Sequence, residues 1–94
     1  MDIIVRKRAL NAIVKTALFV ESLNTPGSGE RWAEKIKSEI ISLADSKAKF
    51  SLCRHPSLAK HQYCCYVFKD WVIVFRIHNN EFEFCRFIHG SRLA

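Results

Sequence analysis

Apolar and polar positions alternate with two different periods along the chain, and the change of period divides it. From Arg8 to Leu23 the apolar residues Leu10, Ile13, Val14, Ala17, Leu18 and Phe19 recur at steps of three and four, the spacing of a helix face. Thr25-Pro26-Gly27-Ser28-Gly29 is the one dense cluster of chain breakers and marks a turn. A second helix is predicted from Glu30 to about Ala44, with Ala33, Ile36, Ile40 and Leu43 on one face and Ser28 as its cap. Early Glu30 and Glu34, with Lys47 and Lys49 beyond the end, suit its dipole. Both helices read as scaffold.

Before the helices, Asp2-Ile3-Ile4-Val5 reads as a short strand closed by Arg6-Lys7-Arg8. After them, aromatic and β-branched residues predict strands at Tyr63–Phe68, Trp71–His78 and Glu81–Ile88, joined by Lys69-Asp70 and Asn79-Asn80. The fold class that follows is α+β, in the order β-α-α-β-β-β, an antiparallel sheet with two helices packed on one face. Those turns fix a register. It puts Cys64, Tyr66, Phe68, Trp71, Ile73, Phe75, Ile77, Phe82, Phe84 and Ile88 on the core face, where Arg86 alone breaks the apolar pattern. Tyr63, Cys65, Val67, Val72, Val74, Arg76, His78, Glu81, Glu83, Cys85 and Phe87 fall on a mixed face, with Arg76 opposite Glu83 and His78 opposite Glu81.

Composition narrows the functional classes. Ninety-four residues with 49% hydrophobic and 26% charged side chains suit a single domain over residues 1–94. No apolar run is long enough for a membrane span, so no membrane partner is expected. Cys53, Cys64, Cys65 and Cys85 contain no C-x-x-C pair, which argues against a metal site. Reduced thiols in a cytoplasmic protein are the default reading, and Cys65 and Cys85, on strands flanking the central one, are too far apart to bond. The net charge of +6 points to an anionic partner. Residues 48–94 hold seven basic against three acidic side chains and all four histidines, so the candidate chemistry lies in that half.

There the residues His55-Pro56, Asp70-Trp71-Val72-Ile73-Val74-Phe75-Arg76-Ile77 and Phe82 to Leu93 resemble the RelE/ParE superfamily, the toxins of type II toxin–antitoxin pairs. The His-Pro pair, the Asp-Trp opening of the central strand and the late His are similar to the YafQ-like branch, ribosome-dependent mRNA endonucleases (mRNA interferases). That resemblance implies active-site positions at His55, Asp70, Trp71 and His89. The ending Arg86-Phe87-Ile88-His89-Gly90-Ser91-Arg92 looks like the R-x-x-H-G-x-R close of ParE-type and plasmid-stabilisation proteins, whose family members act on DNA gyrase.

The chemistry of the first branch explains its residues. Metal-free RNA cleavage requires no cofactor, but it needs a base for the 2′-OH proton, an acid for the leaving 5′-oxygen and a cation for the phosphate. His55, His89 and Asp70 are the acid/base candidates and Arg86 the cation. Tyr66 and Trp71 are candidates to stack on bases, while Lys60, His61 and Arg92 extend a basic surface. Each has a plain structural alternative: Asp70 as a turn former, Trp71 as core, His55 as a loop residue, Arg92 as part of a free tail. Arg86 and His89 are three residues apart, so an uninterrupted strand points them to opposite faces unless a bulge or the strand end intervenes.

The expectation is a toxin with a cognate antitoxin as partner, acting as a ribosome-dependent endoribonuclease on mRNA. The alternatives are a ParE-like, non-enzymatic inhibitor of DNA gyrase and a toxin homologue with a decayed nuclease site.

Overall fold

The computed structural model describes residues 2–46 and 52–93. Strand β1 (Asp2–Val5) leads into helices α1 (Lys7–Leu23) and α2 (Ser28–Asp45), then the short α3 (Pro56–Ala59). Strands β2 (Cys64–Phe68), β3 (Trp71–His78) and β4 (Glu81–His89) follow, and a 3-10 turn (Gly90–Leu93) closes the described chain. The fold is α+β, with sheet order β1-β4-β3-β2. β2, β3 and β4 form the expected antiparallel meander, and β1 pairs in parallel with β4, so the sheet is mixed.

Local chemistry explains most of these elements. Asn79 and Asn80 take φ of 49° and 59°, the paired left-handed geometry of a tight hairpin, and Lys69 at 55° turns the other. Gly27 sits at φ 86° just before α2, where a side chain would be strained. The cap of α2 comes from α1 instead of Ser28, which is itself the first helical residue. Glu21 accepts the backbone N–H of Gly27 at 2.7 Å and of Gly29 at 2.9 Å, and these bonds lower its carboxyl pKa. Lys47 and Lys49 lie outside the described residues.

The helix-side core gathers Ile36, Ile40, Leu43, Ile73, Phe75, Phe82 and Phe84, with Cys64, Tyr66, Phe68 and Trp71 packed against it. The expected face assignment fails at the end of β4. Phe75 pairs with Phe84 and Val74 with Arg86, leaving Cys85 as the extra residue of a bulge. One inserted residue exchanges the faces of everything after it. Phe87 therefore joins the helix-side core, whereas Ile88 packs on the other side with Cys53, Leu58, Val72 and Val74. That other side is also less exposed than the alternation implies, because the segment carrying α3 covers it.

A disulfide joins Cys53 to Cys65 with their Cα atoms 4.9 Å apart. The default of reduced thiols is thus corrected for these two. Residue 53 is brought beside β2 by a bridge between Leu52 and Cys64 and by a bond from Cys53 N–H to the Tyr63 carbonyl. Proximity in the fold, which cysteine spacing does not encode, makes this pair. Cys85 is a buried free thiol.

Candidate functional site

β1 covers only the stretch Glu81–Phe84 of β4 before the chain turns away at Arg6. Beyond it, among the described residues, the outer edge of β4 has no strand neighbour. α1 packs on the helix side of β4, and Leu58 of α3 packs against Ile88 on the other. An open cleft of about 960 Å³ wraps around this uncovered edge. α1 contributes Arg8, Asn11, Lys15 and Phe19, the α3 segment contributes His55 and Ser57, and the end of the sheet contributes Trp71, Arg86, His89 and Arg92. Arg8, Lys15, Arg86 and Arg92 carry permanent charge, and among the described residues no Asp or Glu lines the cleft. Its field is positive by construction.

Five of the residues singled out in the sequence meet here: His55, Trp71, Arg86, His89 and Arg92. Trp71 stacks on Phe87 with ring centroids 4.5 Å apart and meets Trp32 and His89 edge-on at 6.0 and 5.1 Å. It therefore serves core and cleft together, and positions His89. Arg86 is paired across the sheet with Val74 and His89 with Trp71, so the two extend to opposite faces as their odd spacing requires. The bulge at Cys85 precedes both and leaves that relation intact. They share one cleft because the cleft encloses the edge from both sides.

The other four are placed elsewhere. Asp70 is an exposed turn residue whose backbone carbonyl, not its carboxylate, has a structural task, accepting Gly90 N–H at 2.8 Å. Its expected acid/base role is not supported by this position. Tyr66 donates its hydroxyl to Glu39 of α2 at 2.7 Å, which raises the phenol pKa and fastens β2 to the helix layer. A stacking role for Tyr66 is thus also out of place. Lys60 and His61 are exposed at the end of α3 and outside the cleft lining, with His61 tilted against Tyr63.

Sequence reasoning missed the α1 wall. Arg8, Asn11 and Lys15 fall at i, i+3 and i+7, a polar stripe beside the apolar one, and reading the helix as scaffold hid it. It also missed the two serines. Ser57 and Ser91 place their hydroxyl oxygens 2.7 and 2.8 Å from Nδ1 of His55 and His89.

On the mixed face a second polar cluster has a different character. Glu83, nearly buried, accepts bonds from Arg6 at 2.8 Å and Arg76 at 2.6 Å and from the Cys85 thiol at 3.1 Å. Those bonds hold its carboxyl down at about 2, while burial and the neighbouring carboxylate push the Cys85 thiol up to about 12. The charges satisfy one another. This is a structural ion-pair network, with Arg76 also over the Tyr63 ring at 5.3 Å.

No group of His, Cys, Asp and Glu among the described residues has the arrangement to hold a metal ion. No helix among them is long and apolar enough to cross a membrane. A search of curated proteins returns no significant match. Residues 3–94 match the family model described as the ParE toxin of the type II toxin–antitoxin system, parDE. The α+β fold with its four-stranded mixed sheet is consistent with that match, which spans nearly the whole sequence: the chain belongs to the ParE toxin family, the toxins of type II toxin–antitoxin systems.

Proposed function

We propose that this toxin binds and cleaves RNA as an mRNA interferase on the translating ribosome, and that residues 1–94 form one toxin domain working in the cytoplasm. The observation that carries the reading is the composition of the cleft: among the described residues, four permanent cations, two imidazoles and no carboxylate around one uncovered strand edge. A site of this charge suits the phosphate backbone and repels no part of it. His55 and His89 are its imidazoles for proton transfer and for hydrogen bonding to the phosphate, Arg86 and Arg92 its cations for charge developing there, and Trp71 its aromatic surface. Family membership implies a cognate antitoxin. An acidic segment entering the same cleft would neutralise it.

The test is translation of a reporter mRNA by purified ribosomes with the toxin, followed by mapping of new 5′ ends. New ends inside translated codons, absent without ribosomes, are expected. Arg86→Ala and His89→Ala, each checked for a cooperative unfolding transition, should reduce cutting by roughly 10²-fold or more. Intact mRNA at toxin excess rejects the nuclease reading.

The family description and the opposite facing of Arg86 and His89 favour a second reading, inhibition of DNA gyrase by binding alone. A supercoiling assay separates the two. Inhibition or trapped cleavage that survives His89→Ala supports gyrase, and normal supercoiling at excess toxin rejects it.

A further inference from the structure

The two histidines of the cleft are held in the same way. His55-Pro56-Ser57 and His89-Gly90-Ser91 are both His-x-Ser triplets, each opening a short helical turn. In each the ring Nδ1 meets the hydroxyl of the serine two residues on. An engaged Nδ1 fixes the rotation of the ring and leaves Nε2 for the cleft, since neither Nε2 has a hydrogen bond within the protein among the described residues.

One contact distinguishes them. The backbone N–H of Ser91 also donates to Nδ1 of His89, at 3.3 Å. An amide N–H cannot accept, so this contact favours the tautomer with the lone pair on Nδ1 and the ring proton on Nε2. His55 has no side-chain capping bond from the backbone of α3, only the Ser57 hydroxyl. A hydroxyl donates or accepts equally well, so His55 can carry its proton on either nitrogen.

We infer that Ser57 and Ser91 are positioning residues that divide the work of the two histidines. Ser91 locks His89 as an Nε2–H donor to an anionic phosphate oxygen. Ser57 lets His55 present a bare Nε2, its Nδ1–H donated to the serine oxygen, and so makes His55 the base. The His55 half rests on the RNA-cleavage reading, whereas the His89 lock does not. In the reaction the 2′-OH proton passes to Nε2 of His55 and the 2′-oxygen bonds to phosphorus. The P–O5′ bond breaks with its electron pair on O5′, which takes a proton from water. The resulting hydroxide then takes the added proton from His55 and restores the starting ring.

Two measurements test this on the full chain. Long-range ¹H–¹⁵N correlation spectra of the free protein should show His89 as the Nε2–H tautomer; Ser91→Ala, which keeps the backbone N–H, should retain it, and Ser91→Pro, which removes that N–H, should give a mixture. A His89 ring in the Nδ1–H form, a mixture in Ser91→Ala, or a ring unmoved by Ser91→Pro in a variant that keeps its cooperative unfolding transition, overturns the lock. In the ribosome assay, Ser57→Ala should lower the cleavage rate at least tenfold and displace its pH profile, with Ser57→Thr restoring both. Glutamine, which keeps an N–H near the Nε2 position, should recover part of the loss caused by His89→Ala and none of that caused by His55→Ala. Rescue at position 55, or failure of rescue at position 89, overturns the division of roles. No cleavage by the unmodified protein overturns the RNA reading and the base role of His55 together, while the spectra still decide the lock.

Discussion

Glu83 is the residue on which the mixed face depends, because a carboxylate 8% exposed must be paired to remain charged. Arg6, just past the end of β1, and Arg76 of β3 pair it, and the Cys85 thiol donates a third bond. Its pKa is depressed from 4.5 to about 2, so the stability it contributes is present above pH 4.5 and is lost as pH falls through about 2. The full shift would correspond to about 3 kcal/mol, and the exposure of both arginines reduces this to on the order of 2 kcal/mol. Glu83→Gln should therefore lower the unfolding free energy by about 2 kcal/mol at pH 7 and flatten its decline between pH 4.5 and 2. Denaturant titrations across that range measure both. An unchanged slope would mean that the pair is screened. Half of this network was legible in the sequence: the tight Asn79-Asn80 turn sets the register that places Arg76 opposite Glu83. Arg6 was not, since a parallel pairing across two intervening helices leaves no local signal.

At the scale of elements, strand and helix positions were readable because their periods differ, but the bulge was not. Phe82 to Ile88 is apolar enough that either phase gives an acceptable core, so nothing in the pattern betrays one extra residue at Cys85. The α3 segment was hidden for another reason. It is held to the sheet by the single buried side chain of Leu58, a few backbone bonds and the Cys53–Cys65 bond, none of them periodic. That bond closes a loop with a sequence separation of 12, for which chain entropy suggests about 3 kcal/mol. Reduction with excess dithiothreitol, or Cys53→Ser, should lower stability by about that amount in chemical denaturation. Equal midpoints with and without reductant would show the bond to be dispensable. The α1–α2 contact is tighter still. A Cβ on Gly29 would meet the backbone carbonyl of Ala17 within contact distance and the Glu21 Cβ at 3.1 Å. Gly29→Ala should force the helices apart at a cost of about 1 to 3 kcal/mol, visible as a lower thermal midpoint, even though alanine is the better helix former.

For the whole molecule, the excess of six positive charges matters through where it is left unpaired. Arg6 and Arg76 are spent on Glu83, whereas the cleft draws Arg8 and Lys15 from α1 and Arg86 and Arg92 from the far end of the chain. Charge asymmetry between the two halves of the sequence pointed to the second half alone. The fold adds the first, by laying the polar stripe of α1 along the open edge of β4. If single-stranded RNA lies in this cleft, each phosphate neutralised should add about −0.7 to the slope of log K against log salt. Four cations then give a slope near −3, and Arg92→Ala or Lys15→Ala should each bring it to about −2. Lys60→Ala, outside the cleft, should leave the slope unchanged. Fluorescence anisotropy of a short labelled oligonucleotide between low and physiological salt provides these slopes. The comparison of Lys15 with Lys60 is the informative one, because both are exposed lysines contributing equally to net charge. Equal effects from the two would mean that the molecule attracts RNA by its overall charge, and a loss confined to Lys15 would place the strand between α1 and the edge of β4.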